Sequence, residues 1–163
     1  MKITTDGKIT GLDIRETEKE ERKGEEVKIK MPVFWENITQ DQLVRLSHEP
    51  KRFRNFCKQF FEEDGTVSPL GIPEFTLRPC MSHFDYDVRV GVTDEHFRLV
   101  DCKTKKMKVK PVYPGEFSLE FDVLCDNVAT EFTAKLTRLI AYRTEHTIDV
   151  AVADMFNEEE AND

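Results

Sequence analysis

The stretch Phe84-Asp85-Tyr86-Asp87-Val88-Arg89-Val90-Gly91-Val92-Thr93-Asp94-Glu95-His96-Phe97-Arg98-Leu99-Val100-Asp101-Cys102 decides how this chain folds. Apolar and polar residues alternate from Phe84 to Val92, the period-two pattern of a strand with one buried face. Thr93-Asp94-Glu95 supplies turn chemistry, and Phe97–Cys102 reads as a second strand folded back on the first. If the two form a hairpin, Asp87, Asp101 and Lys103 are expected to cluster on one face.

Working towards the N-terminus, Gly65, Pro69, Gly71 and Pro73 mark a loop before a strand at Phe75–Cys80. Residues Thr39–Glu63 are helical in character, in one helix or two. Pro50 suits a first turn, and Phe53, Phe56, Cys57, Phe60 and Phe61 form one apolar stripe. Val27, Ile29 and Met31 alternate with lysines as in a strand. Arg15–Glu26 is almost wholly charged and reads as an edge hairpin turning at Lys23-Gly24 or as a connector. Asp6-Gly7 predicts a tight turn within a hairpin over Lys2–Ile14.

Towards the C-terminus, strands are predicted at Lys106–Lys110 and Phe117–Leu124. Asp126 or Asn127 then caps a helix whose Val128, Phe132, Leu136, Leu139 and Ile140 share a face. A last strand runs from Thr147 to Phe156. The expectation is a single α/β or α+β domain with a central mixed or antiparallel sheet flanked by two main helices. It comprises an N-terminal hairpin and charged connector over 1–26, the domain proper over 27–156, and a disordered acidic tail over 157–163.

Length and composition agree with one domain: 163 residues, 39% hydrophobic and 34% charged, bury one ordinary core. No run approaches the roughly 20 apolar residues of a membrane helix, and no secretory signal opens the chain, so no membrane partner and a cytoplasmic location are expected. Cys57, Cys80, Cys102 and Cys125 lie in structured segments and read as free thiols. The formal net charge is -8, but residues 27–156 carry 20 acidic and 18 basic side chains, which leaves room for local basic patches.

The order helix, three strands, β-containing insertion, helix, strand resembles the core of the PD-(D/E)XK nuclease superfamily, here called a restriction-endonuclease-like core. Phe97 to Thr104, with Asp101-Cys102-Lys103-Thr104, looks like the signature strand of its RecB-like branch, and Asp87 lies upstream where that family places its other metal-binding aspartate. Thr39 to Phe53 is similar to the family's opening helix, and Leu136 to Tyr142 to its late helix, although Arg138 stands where the family prefers glutamine. The resemblance implies a Mg²⁺-dependent deoxyribonuclease. Asp87, Asp101 and the carbonyl of Cys102 would hold the ion, and Lys103 would orient the attacking water.

Other residues suggest binding without catalysis. Lys106, Lys108 and Lys110 alternate with Met107 and Val109, presenting cations on one strand face, and Lys105 and Arg52 add to them. With Tyr113 and Tyr142 available for stacking, these residues suit single-stranded nucleic acid. Equally, lysines on an edge strand block aggregation. The alternative to a DNA-cleaving enzyme is therefore a non-enzymatic module that binds nucleic acid or a protein partner, with the acidic tail competing for the basic surface or recruiting that partner. Cys80-x-x-His83 has zinc-like spacing but no second close pair.

Overall fold

A computed structural model describes residues 1–16, 26–64, 66, 74–91, 95–112 and 115–150. The predicted turns at Lys23-Gly24 and Thr93-Asp94, most of the Gly65–Pro73 loop, Tyr113 and the acidic tail lie outside the described residues. Those described form nine strands, three α-helices and one 3₁₀ turn.

The strands are β1 (Lys2–Ile9), β2 (Asp13–Glu16), β3 (Glu26–Ile38), β4 (Phe75–Leu77), β5 (Phe84–Arg89), β6 (His96–Cys102), β7 (Met107–Val112), β8 (Glu116–Ala129) and β9 (Arg143–Asp149). They pair antiparallel throughout, in the order β4-β7-β8-β3-β1-β9-β5-β6, with β2 added to β3. The mixed-sheet option is thereby excluded for the described strands, and the α+β description holds.

Alternation explains the core. Val27, Ile29, Met31, Val33 and Trp35 of β3, Phe117, Leu119, Phe121, Val123 and Cys125 of β8, and Phe84, Tyr86 and Val88 of β5 are all buried, while most of their sequence neighbours face out. The sheet is strongly curled. Tyr86 of β5 lies 6.3 Å from Trp35 of β3 and 6.2 Å from Phe121 of β8, ring centre to ring centre, although β1 and β9 intervene between β3 and β5. The curl closes: just beyond β6, Lys103 N–H donates to Leu124 O and Leu124 N–H to Lys103 O, both at 2.9 Å. β8 is long enough to meet β7 along Glu116–Phe121 and to meet the end of β6 at Leu124. The result is a barrel-like body of β8, β3, β1, β9, β5 and β6, from which β7 and β4 extend.

The Asp6-Gly7 turn is not formed. β1 runs straight through both residues, paired to β3 at Gly7–Trp35 and to β9 from Lys2 to Lys8. The glycine serves a close approach instead: a Cβ at Gly7 would sit 2.7 Å from the carbonyl oxygen of Phe34 and 3.0 Å from Trp35 Cδ1.

The helices are α1 (Gln40–Leu46), α2 (Pro50–Cys57) and α3 (Thr130–Arg138), three where two main helices were expected. A capping box between Thr39 and Gln42 starts α1. Pro50 opens α2, and a 3₁₀ turn, Lys58–Phe60, carries the chain on, so the aromatic stripe continues past the α-helix. Phe56, Phe60 and Phe61 meet Phe75 and Phe117, sealing the β4–β8 end. α3 starts later than predicted, because β8 continues through Asp126 and Asn127 to Ala129, which caps without a side-chain bond. It ends at Arg138, so Tyr142 stands in the turn before β9 and not on a helix.

A polar network crosses the core. Trp35 Nε1–H donates to Tyr86 OH at 2.8 Å, the Tyr86 hydroxyl bonds His146 Nδ1, and His146 Nε2 bonds Thr144 Oγ1 at 2.6 Å. With Tyr86 accepting from the indole, its own proton goes to Nδ1, which leaves Nε2 to donate to Thr144. Every member is satisfied with His146 neutral.

Candidate functional site

β5 and β6 pair as a hairpin with Asp87 opposite Arg98. A bulge interrupts the ladder: Phe84 pairs Cys102 and Tyr86 pairs Leu99, so Asp85 faces two residues, of which Asp101 adopts φ +58. The bulge re-aims Asp101, whose N–H donates to Asp85 Oδ1 at 3.1 Å and whose carboxylate bonds His83 Nδ1 at 2.6 Å. Asp87 instead bonds His96 Nδ1 at 3.1 Å and lies 3.6 Å from Arg98.

The carboxylates that do converge are Asp85, Asp87 and Asp149, and their centre is already cationic. Arg98 reaches Asp85 at 2.9 Å and Asp149 at 3.1 Å, and these two bonds raise its pKa. Lys103 is held at the seam by two backbone bonds to Leu124 with its side chain exposed, and Cys102 is buried. The test for Mg²⁺ is the donor set. Asp87 bonds His96 and neighbours Arg98 while Asp101 bonds His83, a guanidinium occupies the carboxylate cluster, and among the described residues no three His, Cys, Asp or Glu are arranged to hold a metal. The residues do not fit the ion, and no step is derived through it. Arg98 and Asp149, neither singled out from sequence, decide this. The alternation of Asp85, Asp87 and Arg98 was visible, but their meeting with Asp149 depends on β9 lying beside β5.

The lysines, by contrast, assemble. Three adjoining grooves of about 490, 480 and 480 Å³ run along the outer face of β7, β8 and β3, sharing Lys106 and Asp122 at one junction and Lys108 and Glu120 at the other. Lys108 and Lys110 of β7, Lys105 and Lys106 before it, Lys28 and Lys30 of β3, and Arg15 of β2 line this trough. Seven basic side chains thus face three acidic ones, Glu120, Asp122 and Asp126 of β8. Lys30 pairs with Asp122 at 3.8 Å and Lys108 with Glu74 at 3.9 Å. The half-buried Pro32 and Phe34 supply apolar surface along the same trough.

Of the sequence-predicted binding residues, Lys105, Lys106, Lys108 and Lys110 lie here. Arg52 does not: it pairs with Glu49 on the rim of a separate cleft of about 570 Å³ between α2 and β4, floored by Phe53, Phe56 and Phe75. Tyr142 is 67% exposed and lines none of the three grooves. Lys28 and Lys30 were visible as the polar half of the β3 alternation. Their place opposite the β7 lysines follows only from β8 lying between the two strands.

No family model matches the chain, and neither the curated proteins nor the solved structures contain a match to it. No helix among the described residues is long and apolar enough to cross a membrane.

Proposed function

We propose that this protein is a non-catalytic module that binds single-stranded nucleic acid along the β7–β8–β3 trough. One observation carries the reading: a chain of net charge -8 gathers seven basic and three acidic side chains in one continuous trough. Cations concentrated against the trend of the whole molecule focus a positive potential, which draws a polyanion in. The two lysine rows flank the acidic floor of β8, so phosphates are met at the rims while bases lie over Phe34 and Pro32. From Lys105 to Val112 the trough extends about 25 Å at the rise of a strand, enough for about four nucleotides.

Fluorescence anisotropy with labelled oligo-dT and oligo-U tests this. Engaging about four phosphates predicts that affinity falls roughly 50-fold between 50 and 200 mM salt. The triple variant Lys106→Glu, Lys108→Glu, Lys110→Glu is expected to weaken binding at least tenfold at 50 mM salt, whereas Arg52→Glu leaves it unchanged. No binding at low salt, or binding indifferent to the triple variant, rejects the proposal. The same oligonucleotides incubated with Mg²⁺ or Mn²⁺ test the nuclease reading. Cleavage lost in Asp101→Ala and in Lys103→Ala would replace a binding module with an enzyme.

A further inference from the structure

The seam that closes the barrel places two of the four cysteines against each other. Lys103 and Leu124 exchange both backbone bonds, so in the antiparallel ladder the adjoining pair, Cys102 and Cys125, are direct cross-strand partners at a non-hydrogen-bonded position. Cα atoms at such positions lie about 4.5 Å apart, inside the roughly 4.4–6.8 Å span that a disulfide bridges. The side chains agree with that register. Lys103 is exposed and Leu124 only half-buried, whereas Cys102 is 0% and Cys125 3% exposed, so both thiols point inward on the same face of the seam. Both are free thiols, and Cys125 Sγ donates to the carbonyl of Val100, the residue two before Cys102.

We propose that Cys102 and Cys125 are an oxidative modification site, forming one intramolecular disulfide that fastens β6 to β8. The other two lie elsewhere: Cys57 ends α2, where burial pushes its thiol up to about 12, and Cys80 Sγ donates to Arg45 O, beyond the end of β4.

The oxidant is a low-molecular-weight disulfide, RSSR. One seam thiol loses its proton and attacks a sulfur of RSSR, forming a mixed disulfide and expelling RS⁻, which takes up a proton. The second seam thiol, deprotonated in turn, attacks the protein sulfur of that mixed disulfide and expels the second RS⁻. The two cysteines are oxidised by two electrons in total, and one RSSR becomes two RSH. Access comes through opening of the seam, which one bridge pair beside the Asp101 bulge holds shut.

The test uses the full chain and oxidised glutathione, in buffer and in urea below the unfolding transition. Thiols are titrated after denaturation, and the disulfide is located by peptide mapping. Expected are a fall from four free thiols to two, a crosslink between the peptides carrying Cys102 and Cys125, and a reductant-reversible rise in Tm of roughly 5 °C or more. A double variant, Cys57→Ser with Cys80→Ser, keeps the seam intact and should lose both of its thiols together. Four thiols surviving in both conditions, a crosslink to Cys57 or Cys80, or stable mixed disulfides in place of the crosslink would overturn the proposal. None of these readouts depends on nucleic-acid binding.

Discussion

Gly7→Ala is expected to destabilise the fold by about 3 kcal/mol, at the upper end of ordinary overpacking costs. The new methyl group meets the Phe34 carbonyl oxygen at 2.7 Å, which is backbone held in the β1–β3 ladder, and Trp35 Cδ1 at 3.0 Å, a ring wedged between Tyr86 and Phe121. Neither can yield cheaply, because moving the carbonyl disrupts the pairing of β3 with β1 and moving the indole breaks its bond to Tyr86. Trp35 is the only tryptophan, so its fluorescence reports the transition directly in urea. If the glycine were a turn residue, as the Asp6-Gly7 pair suggests in isolation, alanine would meet only the strain of a positive φ, about 1 kcal/mol, and the midpoint would move far less.

Acid should weaken the fold through His146, again by about 3 kcal/mol. Burial lowers this imidazole from 6.5 to about 4. Above pH 6.5 it is neutral in folded and unfolded chains alike, and the full stability is present. Between pH 6.5 and 4 the unfolded chain binds a proton that the folded one refuses, so stability falls with falling pH, and below about pH 4 the loss levels off. A shift from 6.5 to about 4 corresponds to about 3 kcal/mol at about 1.4 kcal/mol per unit. Urea titrations at pH 7 and pH 4.5 measure the difference. His146→Gln can accept from Tyr86 and donate to Thr144 without titrating, so its stability should fall less over that interval. Equal losses in both proteins would mean that carboxylates alone carry the acid response.

Local pattern was a good guide wherever one strand face is buried. The alternations at β3 and β5, the Phe97 and Leu99 positions of β6, and the aromatic stripe of α2 place their apolar residues in or against the core as the periodicity requires. It misled where tertiary context outranked a local signal. Asp6-Gly7 carries turn chemistry, yet Gly7 is needed for the room that Trp35 takes up. Asp126-Asn127 carries capping chemistry, yet β8 runs through it to keep pairing with β3 as far as Ala129.

The candidate sites divide in the same way. Three of the lysines, Lys106, Lys108 and Lys110, could be read from the sequence because a strand's period alone puts them on one rim. The other rim and the acidic floor depend on strand order, which no window of sequence contains. Asp87 and Asp101 sit on the expected hairpin, but a bulge and a neighbouring arginine decide what they face.

The placement of β1 also dictates when this molecule becomes whole during synthesis. β1 is hydrogen-bonded on one side to β9, with Lys2 opposite Asp149 and the Met1 amino group bonded to Val150 O. Until β9 has left the ribosome, β1 must wait with one ladder edge bare, and no intermediate chain length can complete the ring. Pairings of such sequence separation carry a heavy loop-closure cost, so folding is expected to be slow. The nascent chain therefore holds an unpaired edge until β9 emerges, the interval in which a chaperone would matter most.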